Sequence, residues 1–298
     1  MKTVVFGGSG FVGSYVADLL TERRHEVTIF DRRPSPYASP AQRVIVGDIR
    51  DRAAVVEALR GADYVYHLAG AVDLDDASTK PLDTVEQNVL GTAILLDAAI
   101  EAGGIKRFVY ASTVYVYSHL GGFYRASKQA AELYVEEYQR RYGLDYTILR
   151  YGTLYGPRAD ARNSLWRYLR QGLQEGRIVF EGTGEEMREY LHVRDAATLS
   201  VDILDGRFSN QHVIITGHQP MRTSEMLQMI REILNHKVTI EFAAVDPGST
   251  AHYTLTPYSF SPKIGHKLVS TYYVDMGQGL LECLQELGAV ANEAGVRS

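Results

Sequence analysis

A tyrosine and a lysine stand four residues apart, at Tyr124 and Lys128, where a helical pattern begins. Side chains at positions i and i+4 lie on one face of a helix, so the phenol and the ammonium would be neighbours. A free tyrosine has a pKa of about 10 and is mostly protonated at neutral pH, but nearby positive charge favours the phenolate. The pair could therefore accept a proton from a substrate hydroxyl. The spacing alone is common, and a structural tyrosine beside a surface lysine is the alternative.

A glycine-rich turn near the N-terminus could hold a dinucleotide. The first strand pattern leads into Gly7-Gly8-Ser9-Gly10-Phe11-Val12-Gly13, which satisfies G-x-G-x-x-G and opens a helical pattern. Glycines let the turn tighten and let a pyrophosphate approach the amides at the positive end of the helix. We expect cofactor contacts from Gly7, Gly10, Phe11, Val12 and Gly13.

The choice of dinucleotide depends on Asp31, which ends the second strand pattern. An acid at this place accepts hydrogen bonds from the adenosine ribose hydroxyls and repels a 2′-phosphate, which favours NAD over NADP. Arg32 and Arg33 follow directly, and guanidinium groups bind phosphate bidentately, so NADP stays open as an alternative. We count Arg32 among the expected cofactor contacts. A solvated strand-end acid is the other interpretation of Asp31.

The elements that must position these residues alternate along the first half of the chain. Short runs rich in Val, Ile and Tyr predict strands, and the amphipathic stretches between them predict helices. Strands are expected at Thr3–Phe6, Glu26–Phe30, Arg43–Val46, Asp63–Leu68, Arg107–Ala111 and Asp145–Leu149, and helices at Phe11–Glu22, Pro81–Ala102 and Tyr124–Tyr142. This alternation predicts an α/β fold with a doubly wound parallel sheet of the Rossmann type.

A domain boundary is expected near residue 152, where the pattern loosens. Residues 1–152 would form the NAD-binding domain. Residues 153–298 would form mainly a smaller substrate-binding lobe, with some segments returning to the first domain. Within this lobe, Gly156-Pro157-Arg158 marks a loop, and a helix is expected at Ser164–Glu175 and a strand at Val213–Thr216.

Composition limits the partners and the metal chemistry. The 298 residues carry a formal charge of -5 without a long Lys/Arg run, which predicts no binding to nucleic acid or to an anionic membrane. Cys283 is the single cysteine, and the nine histidines lack ligand spacing, so no metal is expected. Without a signal segment or an apolar run of about 18 residues, a cytoplasmic protein is the expectation.

Further motifs occur in a fixed order and carry a resemblance to a known family. They are Gly47-Asp48-Ile49, Tyr66-His67-Leu68-Ala69-Gly70, Asn88-Val89-Leu90-Gly91-Thr92, Tyr110-Ala111-Ser112-Thr113, the run from Arg150 to Arg158 and the run from Arg188 to Asp195. Together with the N-terminal glycines and the Tyr124/Lys128 pair, they resemble the extended short-chain dehydrogenases. That family comprises sugar-nucleotide epimerases, dehydratases and reductases. The resemblance spans nearly the whole chain.

The resemblance implies roles that spacing alone does not assign. Thr113 would hydrogen-bond the reacting oxygen, with Ser112 as the alternative hydroxyl. Arg188, with its planar fork of donors, would bind the nucleotide diphosphate, and Thr153 would contact the substrate. The implied catalytic set is Thr113, Tyr124 and Lys128. The further implied cofactor contacts are Asp48, Ile49, Leu68, Ala69, Gly70, Asn88, Tyr124, Lys128 and Tyr151.

The activity that the resemblance implies is an NAD-dependent epimerase acting on a sugar nucleotide, at C4, through transient oxidation to a keto sugar and return of the hydride. One alternative is an NAD(P)-dependent reductase of a 4-keto sugar nucleotide. Another is a catalytically silent dinucleotide-binding regulatory protein. A homodimer is expected through pairing of the helical stretches 81–102 and 124–142.

The chain departs from the family pattern at two places. Only ten residues separate Thr113 from Tyr124, where many relatives carry a longer loop that lines the sugar pocket. Thr153 stands where the family has an asparagine. A 4,6-dehydratase is not expected, because Val114 and Tyr115 follow Thr113 where such relatives place an Asp-Glu pair.

Overall fold

Seven parallel strands form the central sheet of the computed structural model, which describes residues 1–244 and 253–260. The strands of the described chain are β1 (Lys2–Phe6), β2 (Glu26–Asp31), β3 (Arg43–Val46), β4 (Tyr64–His67), β5 (Arg107–Thr113), β6 (Tyr146–Tyr151), β7 (Thr153–Tyr155), β8 (Arg177–Glu181), β9 (Met187–His192), β10 (Gln211–Ile215), β11 (Pro220–Arg222) and β12 (Thr239–Ala243). The central sheet has the order β10-β6-β5-β4-β1-β2-β3. The strand order reverses between β1 and β4, and ligands of such sheets bind at the carboxyl ends of the strands at this reversal.

Helices cover both faces of this sheet. They are α1 (Phe11–Glu22), α2 (Arg52–Leu59), α3 (Leu74–Thr79), α4 (Pro81–Val85), α5 (Gly91–Ala102), α6 (Gly122–Tyr142), α7 (Ser164–Glu175), α8 (Val193–Asp202) and α9 (Thr223–Ile233). One apolar core joins the sheet to α2, α5 and α6, and a second joins the opposite face to α1 and α8. Val4 and Val5 are neighbours in β1, but Val4 packs in the first core and Val5 packs in the second. Burial on both faces explains why the strands are continuous apolar runs. The predicted α/β fold with a Rossmann-type parallel sheet is confirmed.

The helical stretch predicted at Pro81–Ala102 is not one continuous α-helix. A π-helical turn at Glu86–Leu90 separates α4 from α5. Inserted turns of this kind are often found at functional sites. The turn carries Asn88, whose side chain is buried.

The described residues after β6 form two small sheets and also add a strand to the large one. The small sheets are β11-β9-β7 and β12-β8, and a third apolar core lies between α7, β8 and α9. Strand β10 pairs in parallel with β6, and α8 packs on α1, so both belong to the large sheet's layers. The division of the chain near residue 152 stays a prediction, and Cys283 lies outside the described residues.

Candidate active site

The turn between β1 and α1, residues 7–13, has glycines at positions 7, 8, 10 and 13, and we call this turn the cradle. Gly7 has φ +81, and a Cβ there would stand 2.5 Å from the backbone nitrogen of Ala69. A Cβ on Gly13 would stand 2.1 Å from the carbonyl oxygen of Gly7. Only glycine tolerates these approaches, because any side chain would collide with backbone. The glycine turn therefore packs directly on the loop after β4, which contains Leu68 and Ala69.

The start of α1 presents unpaired amides toward this cradle. Ser14 donates a hydrogen bond of 3.0 Å to the carbonyl of Gly10, so the amides of Phe11, Val12 and Gly13 precede the first closed turn of the helix. No acidic side chain lies in the first turn. Free amides at the positive end of a helix fit a pyrophosphate, so the residues present fit the predicted dinucleotide.

Asp31 lies beside the same turn at the end of β2. Its carboxylate accepts hydrogen bonds from the amides of Ser9 (3.1 Å) and Arg33 (3.2 Å). A carboxylate offers about four acceptor positions, so two of them remain for ribose hydroxyls. The geometry fits the adenosine ribose contact that the sequence predicts for Asp31.

Replacing Asp31 by alanine is expected to weaken NAD binding relative to NADP binding. The variant loses charge-assisted hydrogen bonds of about 1.5–3 kcal/mol in total, roughly 10- to 150-fold in the NAD/NADP affinity ratio, together with the repulsion of a 2′-phosphate. Calorimetric titration of both cofactors measures the ratio. Glu26→Ala is the matched control, because this acid lies at the other end of β2 and is exposed. A wild-type protein that already prefers NADP would contradict the role given to Asp31.

The predicted adenine contacts differ in how they are held. Asp48 binds Arg50 through both carboxylate oxygens, at 3.1 and 2.8 Å, and this hydrogen bonding lowers the pKa of Asp48. Arg50 also contacts Glu86 at 2.9 Å. Ile49 is buried, and its side chain fills the space beside Gly91. Asp48 is therefore already charged and paired, and an adenine would have to share it with Arg50.

The three residues of the predicted catalytic set come together at the end of β5. Thr113 is the last residue of β5, and Tyr124 and Lys128 lie one turn apart on α6. All three are buried, with relative exposures of 5%, 9% and 4%. The hydroxyls of Thr113 and Tyr124 are hydrogen-bonded, and the Lys128 Nζ lies 6.0 Å from the centre of the Tyr124 ring. Lys128 also donates to the carbonyl of Ala111 at 2.9 Å.

Burial shifts both ionisable groups of this set toward their neutral forms. It raises the pKa of Tyr124 to about 12, although the hydrogen bond with Thr113 acts in the opposite direction. It lowers the pKa of Lys128 to about 8, with the charge of Glu132 opposing the change. Tyr124 can therefore serve as a base near neutral pH only where added positive charge stabilises its phenolate.

Asn88 connects the cofactor loop to the helix that carries Tyr124. Its side-chain oxygen accepts from the amide of Ala71 at 2.8 Å, and its nitrogen donates to the carbonyl of Ala71 and to Ser127 Oγ, both at 2.9 Å. Ser127 in turn donates to the carbonyl of Tyr124. A Cβ on Gly70 would lie 2.6 Å from Asn88 Oδ1. The π-helical turn thus places the Asn88 side chain where it binds both the loop after β4 and helix α6.

A buried ion pair behind the catalytic set was not singled out by the sequence. Arg150 binds Glu132 through Nε (3.0 Å) and Nη2 (2.5 Å), with side-chain exposures of 4% and 5%. Ser112 donates to the same carboxylate at 2.5 Å. Ser112, the alternative catalytic hydroxyl, therefore makes a structural contact with Glu132. Thr113 is the hydroxyl that is hydrogen-bonded to Tyr124. Glu132 lies one further turn along α6 from Lys128, and Arg150 opens the motif that ends at Arg158, but no sequence pattern pairs the two residues.

Arg188 and Thr153, the predicted substrate contacts, meet at Tyr253. The guanidinium of Arg188 lies 4.5 Å from the centre of the Tyr253 ring, and Thr153 Oγ1 lies 3.4 Å from the Tyr253 hydroxyl. Tyr115 bridges the remaining distance, with ring centres 4.8 Å from Tyr253 and 6.4 Å from Tyr124. Tyrosines and one arginine therefore lie together beside the catalytic set, and we call Tyr115, Tyr253 and Arg188 the wall.

Tyr115 and Tyr253 are the wall residues that sequence reasoning missed. Burial raises the pKa of both phenols, and it raises the pKa of Tyr115 far above its ordinary value. Both side chains therefore stay neutral hydrogen-bonding groups. A Cβ on Gly121, which has φ +92, would lie 2.7 Å from the Tyr115 ring. The short segment before α6 thus turns tightly against this ring.

Tyr151, a predicted cofactor contact, and His192, in the motif from Arg188 to Asp195, have contacts away from the cradle. The hydroxyl of Tyr151 bonds Ser200 Oγ of α8 at 2.6 Å. His192 caps α8 by accepting a hydrogen bond from the amide of Arg194, which is a structural role. Among residues 1–244 and 253–260, no group of three His, Cys, Asp or Glu side chains could hold a metal ion. No helix in that part of the chain is long and apolar enough to span a membrane.

Fold and site together define a dinucleotide-binding protein of the short-chain dehydrogenase class, with a buried tyrosine, lysine and threonine beside the cradle. The model of the NAD dependent epimerase/dehydratase family matches residues 3–216. The chain therefore belongs to the NAD-dependent epimerase/dehydratase family. The resemblance to the extended short-chain dehydrogenases is confirmed, and NAD is confirmed as the cofactor of the family.

Known relatives perform different reactions. A dTDP-glucose 4,6-dehydratase from Streptomyces antibioticus is 34% identical over 232 residues, which cover 68% of this chain and 68% of the relative. A UDP-N-acetyl-alpha-D-glucosaminuronate decarboxylase from Bacillus cytotoxicus is 27% identical over 276 residues, covering 83% and 85%. The crystal structure of a UDP-glucose 4-epimerase from Thermus thermophilus in complex with NAD has a TM-score of 0.77 and 26% identity, covering 86% of this chain and 91% of that one.

Proposed function

We propose that this protein is an NAD-dependent epimerase that inverts the C4 hydroxyl of a sugar nucleotide. The observation that carries the proposal is the neighbourhood of Tyr124. In the described part of the chain, Tyr124 is hydrogen-bonded to Thr113, packs edge-on against Tyr115 and lies near Lys128 and Tyr253, and none of these four groups is a carboxylate. Epimerisation needs one proton-transfer group beside the cofactor, which Tyr124 supplies. Elimination of water needs a further acid and base.

Each member of the catalytic set has one task in this reaction. Thr113 holds the C4 oxygen by a hydrogen bond, and Tyr124 accepts the proton of the C4 hydroxyl. The ammonium of Lys128 stabilises the phenolate and is itself oriented by the carbonyl of Ala111. NAD, when bound, supplies the acceptor and donor of the C4 hydride. Tyr124 then returns the proton to the oxygen after the keto sugar has presented its other face.

The remaining proposed contacts divide between the two ligands. The amides at the start of α1 bind the pyrophosphate of NAD, and Asp31 binds its adenosine ribose. Arg188 binds the diphosphate of the sugar nucleotide through charge-assisted hydrogen bonds. Tyr253 supports the guanidinium by stacking, since a cation above an aromatic ring is attracted to its face.

Product analysis with a panel of UDP-, GDP- and dTDP-sugars tests the proposal. With catalytic amounts of NAD, we expect mass spectrometry and chromatography to find an isomer of unchanged mass. Loss of the mass of water would instead identify a dehydratase, and loss of the mass of carbon dioxide a decarboxylase. Stoichiometric consumption of NADH or NADPH with a 4-keto sugar would identify the reductase. Binding of NAD without conversion of any sugar would support the regulatory alternative.

We also propose that the protein is a homodimer. Apolar side chains are exposed on the helical stretches 81–102 and 122–142, namely Leu82, Val85, Leu90, Phe123, Leu133 and Tyr134. Two copies that pair these stretches across a two-fold axis would bury both sets in a four-helix bundle. A monomeric mass by light scattering at micromolar concentration would contradict this assembly.

A further inference from the structure

Arg158 occupies an unusual position at the edge of the cofactor cradle. Its guanidinium lies between two aromatic rings, 4.3 Å from the centre of Tyr15 and 4.5 Å from the centre of Tyr37. It also donates to Asp18 Oδ2 at 2.8 Å. The backbone of Arg158 has φ +68, a left-handed conformation that a long side chain rarely adopts. Such strain persists only where surrounding contacts hold the residue in place.

One side of this contact belongs to the helix that forms the cradle. Tyr15 and Asp18 lie on α1, and Tyr15 is one turn after Phe11, whose amide faces the cradle. The hydroxyl of Tyr15 donates to the carbonyl of Pro157 at 3.3 Å. Segment 156–163, which follows β7, is therefore fastened to the helix whose N-terminus fits a pyrophosphate.

The other side belongs to the loop 32–42, which follows Asp31. The loop is tied down where it begins, because Ser9 Oγ donates to the carbonyl of Arg33 at 3.0 Å. The end of the loop is held to α1, because the Gln42 side chain donates to Asp18 Oδ1 at 3.2 Å. Tyr37 lies in the middle of the loop and touches Arg158. Asp18 thus joins the loop and the segment 156–163 through its two oxygens.

Segment 156–163 also contains an internal ion pair. Arg162 pairs with Asp160, and this hydrogen bonding raises the pKa of Arg162. The negative charges of Asp73 and Asp76, near and on α3, raise the same pKa further. These acids follow Gly70, which lies beside Lys128.

We propose that Arg158 is a positioning residue that fastens segment 156–163 to α1 and to the loop 32–42 at the edge of the cofactor cradle, and thereby slows release of the bound dinucleotide. The value of slow release rests on the proposed function, because an epimerase returns the hydride to the same sugar and has no need to exchange its cofactor. The fastening itself rests only on the contacts of Arg158 with Tyr15, Tyr37 and Asp18.

Dissociation of NADH measures the fastening directly. Wild-type protein and the variants Arg158→Ala and Tyr37→Leu are loaded with NADH and mixed with excess NAD, and the loss of bound-NADH fluorescence is followed in a stopped-flow instrument. We expect both variants to release NADH at least about tenfold faster, equivalent to about 1.4 kcal/mol. Arg207→Ala is the matched control, because Arg207 stacks on Phe208 away from the cradle, and its release rate should equal that of the wild type.

Release at the wild-type rate from both folded variants would overturn the proposal. Circular dichroism reports whether each variant is folded, and if Arg158→Ala does not fold, Tyr37→Leu decides alone, because Tyr37 lies on an exposed loop. The outcome is separable from that of the sugar panel. Faster release combined with no conversion of any sugar would support the role of Arg158 and contradict the epimerase.

Discussion

Tyr124→Phe is expected to lower kcat by about 10²–10⁴-fold, the usual contribution of a general acid–base group, while NAD affinity changes by less than about twofold. Phenylalanine keeps the ring that packs against Tyr115, so the packing of Tyr115 is preserved. The variant loses the phenolic oxygen that is hydrogen-bonded to Thr113 and that would accept the substrate proton. Steady-state kinetics with the sugar found in the panel measures kcat, and calorimetry measures NAD binding.

Tyr134→Phe provides the control for this substitution. Tyr134 lies on the same helix, but its side chain is exposed and away from Thr113. This variant should retain wild-type kcat. Activity of Tyr124→Phe within about a factor of two of the wild type would refute Tyr124 as the base.

Arg188→Ala is expected to raise the Kd of the sugar nucleotide by roughly 30- to 1,000-fold, the equivalent of about 2–4 kcal/mol for a charge-assisted contact. NAD affinity should stay close to that of the wild type, because Arg188 contacts Tyr253 and Met187 and lies on β9, apart from the glycine turn. Competition by the nucleoside diphosphate should weaken in parallel. The measurement is calorimetric titration of each ligand separately.

Arg194→Ala is the matched control for Arg188. Arg194 is an exposed arginine six residues further along the chain, at the start of α8. Its removal should leave substrate affinity unchanged. If Arg188→Ala also binds the nucleotide as tightly as the wild type, Arg188 is a solvated arginine and the diphosphate lies elsewhere.

Local patterns predicted much of the fold because local physical chemistry determines it. The helix at Phe11–Glu22 has the bounds that the sequence indicated, since the glycine turn sets its start and its apolar stripe sets its length. The helix Ser164–Glu175 was also predicted with its observed bounds, with Asn163 as its N-cap and Gly176 after its end. The strands of the parallel sheet were found as apolar runs because both of their faces are buried.

The break in the helical stretch 81–102 could not be predicted in this way. Residues 86–90 continue the helical pattern, and one extra residue per turn leaves no clear trace in its periodicity. The reason for the break is tertiary. Asn88 must reach Ala71 and Ser127 at once, and Ala71 lies in the loop after β4 whereas Ser127 lies on α6.

The wall of Tyr115, Tyr253 and Arg188 also depends on contacts distant in sequence. Tyr253 meets Thr153, which is 100 residues earlier, and no motif surrounds Tyr253 in the sequence. Tyr115 was noted only as a residue that cannot replace a carboxylate, whereas its ring forms the wall between Tyr253 and Tyr124. Likewise, Arg158 belonged to a predicted loop, and its partners Tyr15 and Tyr37 could be identified only from the three-dimensional structure.

A deuterium label at C4 of the sugar tests most directly whether the reaction is a transient oxidation whose hydride returns to the same carbon. The C4-deuterated substrate is incubated with the NAD-loaded protein in ordinary water, and the product is analysed by mass spectrometry and NMR. We predict that the epimer keeps the deuterium at C4, because the hydride does not exchange with solvent and only the proton on oxygen passes through Tyr124. Loss of the label to water, or a product whose C4 hydrogen comes from solvent, would contradict this mechanism.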